Sequence, residues 1–221
     1  TRNSLSSSNI ISIYEDADST MWLGTDGGGL NRFNREDNTF DWFIHRNDEP
    51  ESLSDNAVFS IYEDSENNFW VGTYGGGLNL LDRSSGKAVH FLHDPDNRKS
   101  IIHNDVRALL EDSYGNFWVG TSGGLDLFNR DEKTFTHYPN IYYHGTGVSH
   151  HEIFQLFEDS ERTVWIGTYG GGLNRYNREA NSFEYFQHSD ADSRSISNDY
   201  ITAIIEDSQN RLWIGTGAGL N

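Results

Sequence analysis

The sequence predicts an all-β fold, a β-propeller of four-stranded antiparallel blades present in five tandem repeats of about 48 residues, and three observations predict it. A Trp followed by a Gly-Thr step recurs at Trp22, Trp70, Trp118, Trp165 and Trp213, with spacings of 48, 48, 47 and 48. Six residues before each Trp stands an Asp preceded by a Glu: Glu15-Asp16, Glu63-Asp64, Glu111-Asp112, Glu158-Asp159 and Glu206-Asp207. Within each period, short runs of alternating apolar and polar residues are separated by turns rich in Gly, Asn and Asp, and no helical period appears.

The second repeat shows the elements most plainly. Strand one is read at residues 58–62, a turn at 64–68, strand two at Phe69–Thr73 and a glycine turn at 74–77. Strand three follows at Leu78–Leu81, a turn at 83–86, strand four at 89–92, and a polar link at 94–100. One such sheet cannot bury both faces alone. Stacked blades would cover the Trp, the strand-one aliphatics and strand-four aromatics such as Phe43, Phe91, Phe135 and Phe186. The chain 1–221 is therefore read as a single propeller segment with blades at 4–51, 52–99, 100–146, 147–194 and 195–221, the last incomplete. An open arc would expose blade faces, so the segment is expected to be part of a longer propeller. Strand one is expected nearest the axis and strand four at the rim. The links from strand four to strand one then share a face with the turns from strand two to strand three, and binding residues are expected there.

Composition narrows the partners. With 16 Lys and Arg against 34 Asp and Glu, the net charge of −18 repels phosphate backbones and anionic lipid, so no nucleic acid or membrane partner is expected. No run of 18 apolar residues is present, and the chain reads as soluble. There is no cysteine, hence no disulfide, thiolate metal site or cysteine nucleophile.

Each motif that could carry chemistry has a structural explanation. The Glu-Asp pairs recur in every blade, and their Asp is read as a cap of the following turn. The stretch 16–20 lacks the glycine and the twelfth-position Glu of a calcium loop. The glycine-rich turn at 72–77 opens no helix that could hold phosphate. His90 with His93 and His150 with His151 look like ligand pairs, but odd offsets along a strand place their rings on opposite faces, so no zinc site is expected. No Gly-x-Ser-x-Gly elbow or ordered triad is present. No catalytic residue, metal or cofactor is expected, and the chain is read as a recognition module rather than an enzyme.

Positions that differ between blades are where an asymmetric site can form. The two-to-three turns carry Asp26, Tyr74, Ser122, Tyr169 and Gly217 at one position. Entering strand one, the equivalents are Ser7, Asp55, His103, His150 and Asn198, then Ser8, Asn56, Asn104, His151 and Asp199; further along stand Ile11, Phe59, Arg107, Phe154 and Thr202. From these, Tyr74, Tyr169, His103, His150, His151 and Arg107 form the candidate ligand-binding set. Rings that stack, beside polar groups that hydrogen-bond, suit a small polar molecule such as a sugar or oligosaccharide.

The run 61–79, with its Tyr-Glu-Asp-Ser start, Trp-Val-Gly-Thr centre and glycine turn, resembles the two-component regulator propeller repeat, as do 109–125, 157–173 and 205–220. The third repeat is one glycine short, and the link at 139–149 departs from the Asn- and Asp-rich pattern of the others. The resemblance covers essentially the whole chain. It implies a periplasmic or extracytoplasmic input module of a bacterial receptor, often sensing a glycan breakdown product and signalling to a histidine kinase or diguanylate cyclase outside this chain. It is compatible with a homodimer and assigns no ligand residues. Two other classes remain open. A lectin-like propeller would repeat one sugar site in every blade. A glycan-cleaving propeller would need an arginine cluster with an acid and a tyrosine nucleophile near the axis, where only Arg107 is suitably placed.

Overall fold

A computed structural model describes residues 3–141 and 147–221. Among them are nineteen strands in five antiparallel sheets, so the all-β propeller reading holds. The first blade comprises β1 (Ile10–Glu15), β2 (Met21–Thr25), β3 (Leu30–Asn34) and β4 (Thr39–Phe43), and the second β5 (Val58–Glu63), β6 (Phe69–Thr73), β7 (Leu78–Leu81) and β8 (Ala88–Phe91). The third comprises β9 (Val106–Glu111), β10 (Phe117–Thr121), β11 (Leu125–Asn129) and β12 (Thr134–Tyr138). The fourth has β13 (Ile153–Glu158), β14 (Val164–Thr168), β15 (Leu173–Asn177) and β16 (Ser182–Phe186). The last has β17 (Ile201–Glu206), β18 (Leu212–Thr216) and the two-residue β19 (Gly219–Leu220). In every sheet the strands lie side by side in sequence order. Strand four of the second blade begins one residue earlier than the alternation predicts, because Ala88 is buried while Leu92 turns to solvent.

The chain forms two compact units, residues 1–109 and 110–221, with β9 running across the division. In the first unit β1 packs on β5, and in the second β13 packs on β17, so first strands face first strands while each fourth strand lies at the opposite edge of its sheet. The core of the first unit gathers Trp22, Leu30, Val58, Ile61, Phe69 and Val71, with the Trp22 and Phe69 ring centres 4.6 Å apart. In the second unit Trp118, Val148, Ile153, Val164 and Ile166 form one cluster and Leu173, Ile201, Ile204 and Ile214 another. Burial of such side chains contributes roughly 1.5–3 kcal/mol each.

The recurring Asp does more than cap a turn. In each blade its Oδ2 accepts the indole Nε1–H of the Trp six residues on, at 2.8 Å for Asp16, 2.8 Å for Asp64, 2.9 Å for Asp112, 2.7 Å for Asp159 and 2.8 Å for Asp207. Its Oδ1 accepts two backbone N–H groups of the turn, as from Tyr114 and Asn116 at 3.0 Å each to Asp112. The Glu beside it reaches the preceding blade. Glu63 accepts from the Ala17 N–H at 2.9 Å, Glu158 from Ser113 at 2.8 Å and Glu206 from Ser160 at 2.8 Å. Arginines complete the lattice, Arg83 pairing with both Asp16 and Glu63 and Arg178 with Asp112. At Glu63, Glu158 and Glu206 the acidic pairs thus couple neighbouring blades, while Glu15 pairs with Arg35 of its own blade at the surface.

Candidate functional site

At the other end of the strands, the Thr-x-Gly-Gly-Gly turn presents its second residue to solvent. Thr73 donates its hydroxyl to the Gly77 carbonyl at 3.1 Å and Thr168 does the same to Gly172 at 2.8 Å. Gly77 takes a left-handed φ of 70°, which a side chain would strain. The turn is anchored to the link that enters strand one, through the Tyr74 N–H on the Ala57 carbonyl at 2.9 Å and the Tyr169 N–H on Glu152 at 3.0 Å. Turn and link therefore share a face, as expected, and Tyr74 and Tyr169 are left 51% and 48% exposed.

A β-bulge supplies the next residues. The pairing of β5 with β6 slips between Val58 and Ser60, and that of β13 with β14 between Ile153 and Gln155. The residue skipped in each case, Phe59 or Phe154, leaves the pleat and meets the turn tyrosine, since a bulge re-aims the side chain it carries. In the first unit Phe59 lies 5.8 Å from Tyr74, ring centre to ring centre, and the Arg107 guanidinium lies 5.3 Å from the Phe59 ring. In the second unit Phe154 stacks on Tyr169 at 5.4 Å and 28°, and Tyr200 meets both edge-on, at 4.6 Å from Tyr169 and 5.4 Å from Phe154. Tyr169 and Tyr200 also form a backbone bridge. Tyr74 and Arg107 are thus gathered around Phe59 in one unit, and Tyr169 joins Phe154 and Tyr200 in the other.

The histidines hold the entry loop as well as facing solvent. His103 Nδ1 accepts the Asp105 N–H at 3.0 Å and His150 Nδ1 accepts the Glu152 N–H at 3.1 Å. The equivalent Ser7, Asp55 and Asn198 make the same bond two residues on. All five residues carry an acceptor at this position, so part of their variation is compatible with one turn-capping role. With Nδ1 occupied, Nε2 is the ring nitrogen that His103 and His150 have left to offer. His150 and His151 do not point to opposite faces, which corrects the expectation from strand geometry: both precede β13, and their rings stack 4.3 Å apart.

Burial first, and then the positive charge of His151, pushes the His150 imidazole below its ordinary value. A proton on Nδ1 would also oppose the Glu152 N–H it now accepts. Replacing His151 by Ala should therefore raise the His150 midpoint in an NMR titration, and an unchanged or lower midpoint would contradict the stacked pair. Phe59, Phe154 and Tyr200 are absent from the sequence-based set. The first two stand in a variable column that signals them, but only the bulge shows where they point.

Among the described residues no group of three or more His, Asp, Cys or Glu could hold a metal ion. No helix among the described residues is long and apolar enough to cross a membrane.

The profile of the two component regulator propeller family matches residues 4–27, 52–75, 100–123, 147–170 and 195–218. No curated protein matches in sequence. Among solved structures, the chain is 25% identical, at a TM-score of 0.78, to the extracellular domain of a proposed hybrid two component system, BT4673 of B. thetaiotaomicron. It is 27% identical, at a TM-score of 0.61, to the corresponding domain of BT3049 of the same organism. PorZ, a surface component of the type-IX secretion system of Porphyromonas gingivalis, shares the fold at 14% identity and a TM-score of 0.70. The alignments cover 96%, 100% and 100% of this chain, but only 26%, 34% and 32% of those chains.

Proposed function

The chain belongs to the two component regulator propeller family, and from that premise we propose that it is part of the extracytoplasmic, ligand-sensing region of a bacterial receptor, binding an oligosaccharide and carrying no catalysis of its own. The observation that carries this reading is the partly exposed three-ring cluster of Phe154, Tyr169 and Tyr200. Aromatic faces of this kind stack on the apolar face of a sugar, while histidine Nε2 atoms and the tyrosine hydroxyls serve its hydroxyl groups. Phe59, Tyr74 and Arg107 offer a second, smaller surface of the same chemistry in the first unit.

The sensing reading is favoured by what the B. thetaiotaomicron relatives are described as being, extracellular domains of signalling systems. Signalling domains would lie outside this chain. A lectin repeating one site per blade fits less well, because the first and last blades place Asp26 with Ile11 and Gly217 with Thr202 at the aromatic positions. Against hydrolysis, the recurring carboxylates are engaged by Trp indoles and backbone amides.

The test is a calorimetric titration with a panel of neutral oligosaccharides, with melting temperatures recorded alongside. For a glycan that binds, Tyr169→Ala should weaken affinity about 5-fold to 100-fold, which is about 1–3 kcal/mol, while the protein stays folded. If Tyr169→Ala and Tyr74→Ala are both neutral toward a glycan that does bind, the proposed face is wrong. Turnover of any panel glycan would refute the non-enzymatic reading.

A further inference from the structure

Within the second unit, the end of the blades remote from the tyrosine turns carries a feature that the scaffold does not require. The β13–β14 turn has a residue in the left-handed conformation, as does the corresponding turn of each described blade: Ser19, Asn67, Gly115, Arg162 and Asn210, with φ of 60°, 64°, 80°, 64° and 58°. Gly and Asn adopt this region at little cost, and Arg does not. The neighbouring turn is equally unusual. Where other blades place Asp18, Glu66, Glu161 and Gln209, the third has Tyr114, which is 58% exposed.

These two departures meet. The guanidinium of Arg178 lies 4.0 Å from the centre of the Tyr114 ring and that of Arg162 lies 5.8 Å from it. Together with Arg175 and Tyr176 they line an open pocket of about 430 Å³. Arg178 is fixed by its ion pair with the buried Asp112 at 2.9 Å, with 31% of its side chain still exposed. Arg175 pairs with Glu184 at the surface, where such a pair opens at little cost. Among the described residues Arg162 makes no ion pair, and the pocket sets the guanidinium groups of Arg162, Arg175 and Arg178 against the lining carboxyl of Glu179, in a chain of net charge −18.

We propose that Arg162, Arg178 and Arg175, around Tyr114, form a binding site for an oxyanion group such as a sulfate or carboxylate carried by an acidic ligand. Guanidinium groups match such oxygens with paired hydrogen bonds, and the Tyr114 ring holds two of them in place. A strained arginine aimed at its neighbour's exposed tyrosine is then explained by binding rather than by folding.

The probe is inorganic sulfate, titrated at constant ionic strength against chloride while the arginine side-chain NMR signals are followed. Saturable shifts of Arg162 and Arg178 with sulfate, and none with chloride, are the expected result. Arg162→Asn installs the residue two other blades use, so it should raise the unfolding midpoint while weakening sulfate by about tenfold or more. Equal shifts with both anions, non-saturating shifts, or sulfate binding unchanged in a folded Arg162→Asn protein would each overturn the site. The oligosaccharide face is separate, and Tyr169→Ala should leave sulfate binding intact.

Discussion

Asp112→Ala should destabilise the protein by about 3–5 kcal/mol, read as a shift in the urea midpoint, because it strips the partners from a buried charged network. The Asp112 side chain is fully buried and accepts from the Trp118 indole, the Asn116 amide, two turn N–H groups and the Arg178 guanidinium. Removing it leaves those donors without their acceptor and an arginine beside an empty space. Asp112→Asn keeps the shape but offers an NH₂ where an acceptor is needed, so it should lose most of the same stability. Trp118→Ala opens a cavity at a ring that packs 5.6 Å from Tyr138 and 5.0 Å from Tyr176, and should cost a similar amount. If both Asp112 variants unfold within about 1 kcal/mol of the parent, the carboxylate does not hold the blade together.

The same network fixes a pH dependence. Burial by itself would raise the Asp112 carboxyl, but the Trp118 N–H, the Asn116 amide and Arg178 outweigh it and hold the group below its ordinary value. A lowered folded value means stabilisation that is complete above the unfolded value, near pH 4, and is lost as pH falls through the folded one. The parent should therefore lose stability on acidification more steeply than Asp112→Asn. A parallel pair of acid titration curves would count against the assignment.

Gly72→Ala should cost about 2–3 kcal/mol, although Gly72 lies on a strand with no unusual φ. An added Cβ would sit 2.6 Å from Val106 Cγ1 and 2.8 Å from the Val106 carbonyl oxygen, and would also meet Ser60 Oγ. The Val106 oxygen is main chain of the following blade's first strand, so relief requires that strand to back away. Gly75 is the contrasting position, with nothing within 4 Å of its Cβ but a φ of 86°. Gly75→Ala should cost only about 1 kcal/mol, from backbone strain alone. If Gly75→Ala is the more damaging of the two, close blade-to-blade approach is not what the Gly-Thr step provides.

The repeat made the blade legible in the sequence. Trp118 and Asp112 recur in register with their counterparts, and a six-residue offset across a tight turn brings indole and carboxylate together by local geometry. Strand order and turn positions follow from the same local rules of alternation and left-handed residues such as Asn67 and Gly77. Tyr74 and Tyr169 were readable as solvent-facing because a turn residue has nowhere else to go.

What needed the tertiary structure lies between blades or at broken periodicity. The two-residue alternation says nothing about Phe59 and Phe154 once a bulge interrupts it, and Tyr200 joins the ring cluster only through a bridge between one blade's glycine turn and the link that enters the next. His103 and His150 looked like free ligand groups until the N–H two residues on was seen to occupy one nitrogen of each. Arg83 and Arg178 reach acidic residues 67 and 66 positions away in the preceding blade. Local rules decide each blade, because its bonds close within a few residues. The surfaces the blades share depend on how sheets stack, which sequence spacing does not encode.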